Sequence, residues 1–363
     1  MGNFEVLEID SPRWKLTIEK AGDPGIFYLP EFCKFRLQGS THRPVMLLYE
    51  ENGKSVFDVS TMRDVSRLPF YQDIGNEFSS PPIDMASPEY NGPVIVNSGN
   101  DDVELLKNYR KALDAYCADN NIVTEFIRFR PLHDTVAALS GIENLVSASS
   151  VIYVDLRSGY EAAFANYRKK YRQQVRKAER EGAELRFVQP DEKNIALLAS
   201  LYLDLMKRKN AKNYYFHELD YFKALFERLG KNIVMVEAYF QDEIVSSTVY
   251  YVDGKNLWAF YSGTIEEKLK TNAQKYMYDR MINWAAEKGF NYLMLGFGIN
   301  TDDENDGVFF TKKGFSSLTT SVFHLRKVHK PELLQKLLKA KADYDIRHGL
   351  ITKTDYFPSY YLN

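Results

Sequence analysis

"YRKALDAYCADNNIVTEFIRF" (residues 109–129) lies over "YDRMINWAAEKGFNYLMLGF" (residues 278–297) without a gap through their second halves. Leu113 falls on Met281, Tyr116 on Trp284, Cys117 on Ala285, Ile122 on Phe290, Phe126 on Met294 and Phe129 on Phe297. Each segment reads as an amphipathic helix, a polar turn and a strand. Upstream of each stands a pair of apolar runs with a hairpin turn between them. These are "PVMLLYEENGKSVFDVS" (residues 44–60) around Asn52-Gly53, and "NIVMVEAYFQDEIVSSTVYYV" (residues 232–252) around Gln241-Asp242. The same elements recur in the same order, which is the mark of a duplicated unit. Strands and helices interleave, so the class is mixed α/β.

The chain has 363 residues, more than the roughly 250 to 300 at which a single core stops growing. Two domains are expected, dividing near Ser147 to Ser150 into 1–148 and 149–363. Hydrophobic residues make up 45%, with 25 Tyr and 23 Phe, enough for packed cores and aromatic-lined clefts. A net charge of −2 gives no global nucleic-acid signature, so any polyanion must meet a local patch. No window approaches the about 18 uninterrupted apolar residues of a membrane span, and the first residues lack a basic and apolar leader. A cytoplasmic protein is expected. Cys33 and Cys117 stand alone, which points to neither a disulfide framework nor a thiolate metal site.

In the second half, Tyr160, Phe164, Tyr167, Tyr171, Val175 and Ala178 form one apolar stripe, and Ser158 with Glu161 has the spacing of a capping box. One continuous helix is expected there, ending at Gly182. Arg168, Arg172, Arg176 and Arg180 recur every four residues along its other side. That row is either a solvated face or a contact for phosphates of a nucleotide, coenzyme A or a tRNA stem.

"GFGINTDDENDGVFFTKKGF" (residues 296–315) offers three chemistries. Gly296 and Gly298 resemble a phosphate loop, but an acidic run follows where a helix N-terminus is required. Asp302, Glu304 and Asp306 before Gly307 have calcium-loop spacing, yet Lys313 occupies the position of the bidentate Glu. Lys312 and Lys313 beside Gly314 and Phe315 put cations next to apolar anchors, which suits a phosphate or a developing oxyanion. The six His show no paired-ligand spacing, and no GxSxG elbow occurs, so neither a metal nor a serine hydrolase is expected.

The strand expected at Ile122 to Phe129 carries Glu125 and Arg128, with Arg130 just beyond. Arg128 and Arg130 either meet an anionic ligand at a cleft or pair with Glu125.

Four segments in order resemble a known family: "PEYNGPVIV" (residues 88–96), "YCADNNIVTEFIRFRPL" (116–132), "YRKKYRQQVRKAEREGAELRF" (167–187) and "GVFFTKKGFS" (307–316). Together they are similar to the FemAB-like branch of the GNAT acyltransferase superfamily, which holds the aminoacyltransferases of peptidoglycan cross-bridges. The resemblance implies two tandem GNAT-like domains with a cleft between them. It departs from the family at Thr311, where an aromatic residue is common, and at Asn91, where Gly is common. It also lacks the Q/R-x-x-G-x-G/A signature for acetyl-CoA near Asn272.

The expected function is transfer of an activated acyl or aminoacyl group to an amine on a nucleotide-sugar or lipid-linked envelope precursor. No cofactor is expected to stay bound; acyl-CoA or aminoacyl-tRNA is the expected co-substrate. Lys312 is assigned to charge stabilisation, and Tyr261 or Asp279 to the amine's proton. Tyr90, Asn91, Arg128, Arg130, Arg172, Arg176, Lys313 and Phe315 are assigned to substrate binding. An acyl-CoA-dependent N-acetyltransferase of a surface-polysaccharide sugar, and a non-catalytic binding module on the same fold, remain as alternatives.

Overall fold

The structure is a computed structural model and describes residues 2–297, 307–352, 354 and 356–361. In chain order its first elements are β1 (Asn3–Glu8), α1 (Pro12–Lys20), α2 (Pro30–Arg36), β2 (Arg43–Glu51), β3 (Lys54–Asp64), β4 (Ile83–Ala86) and β5 (Val94–Val96). Then come α3 (Asp102–Asp119), β6 (Ile122–Arg128), α4 (Val136–Leu139), β7 (Leu145–Asp155), α5 (Tyr160–Ala165), α6 (Lys169–Arg180) and β8 (Ala183–Phe187). The rest are α7 (Glu192–Arg208), α8 (Leu219–Leu229), β9 (Ile233–Phe240), β10 (Glu243–Asp253), β11 (Asn256–Thr264), α9 (Ala273–Glu287), β12 (Tyr292–Gly296), α10 (Gly307–Lys312), β13 (Thr319–Val328) and α11 (Pro331–Arg347). The fold is mixed α/β.

The chain forms two compact units, residues 1–148 with 322–363, and residues 149–321. In the first, strands run in the order β1-β2-β3-β4-β6-β13, with β5 on the side of β3. Every neighbouring pair is antiparallel except β4 and β6, which are parallel. In the second, the order is β8-β9-β10-β11-β12-β7, again antiparallel except for the parallel pair β11 and β12. The two sheets therefore share one topology, and the helix and strand matched in sequence, α3–β6 and α9–β12, hold the same place in each.

Local chemistry explains the shared frame. Both hairpin turns place two residues in the left-handed region, Asn52 and Gly53 in one, Gln241 and Asp242 in the other, as a two-residue turn matched to strand twist requires. Leu113 and Cys117 of α3 and Met281 and Ala285 of α9 are fully buried against their own sheets. The sequence-matched positions thus do the same packing in each copy.

Two elements differ from the sequence expectation. Residues 322–363 pack with the first 148 residues, although the sequence reading carried the second domain to 363. His324 to Val328 of β13 pair with β6, and Leu334, Leu337 and Ala340 of α11 cover Val123 and Phe70. The free edge of β6 and the apolar stripe of α11 satisfy each other within that unit. The helix expected from Tyr160 to Ala178 is two helices. Arg168 is extended (φ −54°, ψ 137°), Gly159 precedes α5 without a side-chain cap, and the expected capping box does not form. Arg172 closes the break by donating to the carbonyls of Ala165, at 2.8 Å, and Tyr167.

Candidate active site

In the second unit, α10 ends at Lys312, whose Nζ donates to the Phe297 carbonyl at 2.6 Å. Gly296, the last residue of β12, has φ +83°, and a Cβ there would sit 3.4 Å from the same ammonium. Lys312 therefore stands at the C-terminal end of β12. Gly298, Asp302, Glu304 and Asp306 fall outside the described residues. Lys313 turns elsewhere, its ammonium 4.8 Å from the centre of the Phe309 ring.

Phe315 is buried, with Tyr167 and Tyr171 both edge-on to it at 5.2 Å. The structure thus places this proposed substrate contact in the core beneath Lys312. Gly314 makes the approach possible, because a Cβ there would lie 2.0 Å from the Tyr171 ring. The Gly314 carbonyl accepts from the Arg168 amide at 2.9 Å, which ties the "KKGF" segment to the start of α6.

Asp279 of α9 is wholly buried and accepts from the Tyr160 hydroxyl and from Arg280 Nε, both at 2.9 Å. Burial pushes its carboxyl up, and the Arg280 guanidinium opposes that rise. Burial, then the same carboxylate, pushes the Tyr160 phenol well above its usual range. Tyr167 feels Asp279 and packs on Phe315, so one ring connects the Asp279 cluster to the floor under Lys312.

Tyr261 belongs to a different surface. Phe260 has no partner on β10, because the register jumps from Val249 opposite Tyr261 to Tyr250 opposite Ala259. This bulge turns Tyr261 away from the face that holds Ala259 and α9. Its ring packs among Tyr202, His217 and Phe222, and its hydroxyl shares a 2.6 Å hydrogen bond with Tyr221. Tyr261 and Asp279 lie on opposite faces of the sheet and do not form one proton path.

The arginine row divides. Arg172 caps α5 as described, while Arg176 is exposed and stacks on Phe164 at 5.4 Å, and Arg168 lies 4.3 Å from the exposed Phe310 ring. Lys275, which sequence reasoning missed, stands in the first turn of α9. Its ammonium donates to Asn272 Oδ1 at 2.8 Å and lies 5.3 Å from the centre of the Tyr171 ring. Burial, then the nearby Lys170, hold its pKa below the usual lysine value. The left-handed Asn272 before it (φ 60°) was the only sequence signal, a turn residue at a helix start.

The remaining assigned residues are in the first unit. Tyr90 is buried against Phe27, and Arg128 lies over its ring at 5.6 Å. Asn91 is fully buried, donates to the Val59 carbonyl, and exchanges backbone hydrogen bonds with Arg128 and Arg130 at 2.8 Å. Arg130 donates to the Pro24 carbonyl at 2.7 Å. The pairing of Glu125 with Arg128 or Arg130 is replaced by Arg110, whose two Nη atoms each donate to it at 2.7 Å, and Arg128 pairs with Glu89 at 3.0 Å. Strand alternation explains this, since residues 125 and 128 point to opposite faces. His133 and the Tyr28 hydroxyl, 2.9 Å apart, hold Gly92, so "PEYNGP" is a braced loop here.

Among the described residues no cluster has the make-up of a metal site, and no helix is long and apolar enough to cross a membrane.

Residues 165–304 match the family model of the acetyltransferase (GNAT) domain. No curated protein matches the sequence significantly. The fold is similar to that of FemX, at 11% identity over 91% of this chain and 99% of that one, with a TM-score of 0.69. It is also similar to a conserved protein of unknown function from Bacteroides thetaiotaomicron, at 11% identity over 90% and 99% of the two chains and a TM-score of 0.54. L-PGS from Bacillus licheniformis follows at 13% identity over 89% and 93%, with a TM-score of 0.51. Residues 165–304 thus match a GNAT-type acetyltransferase domain model, and the fold is similar to that of FemX over 91% of the chain.

Proposed function

We propose that the second unit transfers an activated acyl or aminoacyl group to an amine of a cell-envelope precursor, either a nucleotide sugar or a lipid-linked intermediate, on the cytoplasmic side. The observation that carries this reading is the GNAT-domain match across residues 165–304, which takes in β11, α9 and β12. The parallel pair β11–β12 is in register only from Asn256–Tyr292 to Trp258–Met294. The first-turn N–H groups of α9, with Lys275 and Lys170 beside them, suit the phosphates of a CoA-type donor.

In the reaction the acceptor amine attacks the donor carbonyl, an oxyanion forms, and the thiolate or ribose oxygen leaves and takes a proton. The donor is already activated, so positioning and charge stabilisation supply most of the acceleration. Lys312 is assigned to that charge. The missing Q/R-x-x-G-x-G/A signature and the exposed Arg176 favour aminoacyl-tRNA as a second donor reading. Incubating the protein with acetyl-CoA or charged tRNA and amino-bearing UDP-sugar acceptors, followed by mass spectrometry, tests both. An acylated acceptor with one donor class is expected, and no product from either would overturn the proposal.

A further inference from the structure

The face of the first unit's sheet away from α3 holds a polar cluster that the transfer reaction does not use. Thr61 and Arg63 lie two residues apart on β3 and share that face, where Val65 joins the core under α11. Arg63 stands in register opposite Asp84 of β4. Asp84 is fully buried and accepts from the hydroxyls of Thr124 and Tyr360, both at 2.6 Å. The Tyr361 ring packs against the Arg63 guanidinium at 4.1 Å, and Tyr360 packs against Phe70.

Arg63 is only 6% exposed, yet its Nε and Nη2 have no hydrogen-bond partner among the described residues; nor does the buried Thr61 hydroxyl. Leaving such donors unpaired is costly, most of all for a charged group, so orphans of this kind mark a ligand, ion or water position. Nε and Nη2 form one edge of the guanidinium fork, the edge that meets both oxygens of a carboxylate or phosphate in parallel. Thr61 supplies a third donor on the same face.

We propose that Arg63 and Thr61 form an oxyanion-binding site in the first unit, taking a carboxylate or phosphate group, with Tyr360 and Tyr361 as the strap that covers it. The hydrogen bond from Tyr360 to Asp84 and the stack of Tyr361 on Arg63 are the latch. Burial pushes the Asp84 carboxyl up, against the pull of Arg63. The site makes no use of the residues assigned to acyl transfer, so its test stands apart from that reaction.

The test is calorimetric titration of the full chain with inorganic phosphate and with acetate, repeated on Arg63→Gln and Thr61→Val. Wild type is expected to bind at least one anion. Arg63→Gln should weaken that binding by about 10-fold or more and Thr61→Val by less. Binding of phosphate alone identifies a phosphate ligand, and of acetate alone a carboxylate. No binding by wild type overturns the proposal, as does unchanged affinity in Arg63→Gln. If Arg63→Gln does not fold, Thr61→Val decides, and wild-type affinity in that variant overturns it.

Discussion

Arg110 of α3 meets Glu125 of β6 through two parallel hydrogen bonds of 2.7 Å, with both side chains 3% exposed. Arg110 also donates to Glu143 at 2.7 Å, and His329 Nε2 lies 3.2 Å from Glu125. Removing one partner leaves a buried charge uncompensated, so Arg110→Met should destabilise the fold by about 3 to 5 kcal/mol. Arg110 and then its hydrogen bonds hold the Glu125 carboxyl well below the usual range, against burial. That contribution is present above the unfolded value near about 4.3 and is lost as pH falls below it. Urea unfolding of Glu125→Gln should therefore show a smaller loss of stability on acidification than wild type.

Asp58 behaves in the opposite sense. It is buried on β3 and accepts from the Val59 amide at 2.8 Å, and burial pushes its carboxyl up to about 8. The folded chain holds this proton while the unfolded chain releases it from about 4, so stability falls as pH rises from about 4 to about 8. Asp58→Asn should flatten that slope and be the more stable form at pH 8. A wild-type slope retained in the variant would remove Asp58 as its source.

Much of this architecture was legible in the sequence, because it rests on periodicity and turn chemistry. The matched apolar positions of α3 and α9, and the turns at Asn52-Gly53 and Gln241-Asp242, declare themselves locally. Long-range choices do not. Nothing near Glu125 in sequence names Arg110 as its partner, and the stripe from Tyr160 to Ala178 continues through a helix break whose hydrogen bonds come from Arg172 and Gly314. The bulge at Phe260, which sends Tyr261 to the other face, has no Gly or Pro to mark it. Phe315 was legible as an anchor but not as one wholly enclosed by Tyr167 and Tyr171.

The contact between Gly314 and Tyr171 is a steric requirement. Gly314→Ala puts a methyl 2.0 Å from the ring and should cost about 1 to 3 kcal/mol through forced displacement. Truncation to Tyr171→Ala makes room, so the double variant should be more stable than the sum of the two single losses. Additive losses in a double-mutant cycle by denaturant unfolding would show that the clash is relieved elsewhere.

Arg172 and Arg176 should separate by role. Arg172→Glu removes the donors that close the α5–α6 break, so its melting temperature should fall. Arg176→Glu changes an exposed cation, so it should melt like wild type yet weaken binding of a phosphate-bearing donor and flatten its salt dependence. Equal donor affinity for Arg176→Glu and wild type at low salt returns this row to a solvated face.

Lys312 carries the sharpest expectation, since the hydrogen bond to Phe297 fixes its ammonium at the end of β12. If that ammonium meets charge developing on the donor carbonyl or leaving group, Lys312→Met should lower the single-turnover rate by about 10²-fold or more, with donor affinity changed far less. Lys313→Met is the control, because Lys313 lies against Phe309 and does not share the Phe297 contact. Lys312→Arg should keep part of the rate if charge is what matters, although the wider guanidinium fits there less well. A purely anchoring role predicts another pattern: Lys312→Met and Lys312→Arg would both lower the melting temperature, and rate and affinity would fall together. Full turnover in Lys312→Met with the identified donor would place the electrostatics of the reaction on other donors, first among them Lys275 and the opening amides of α9.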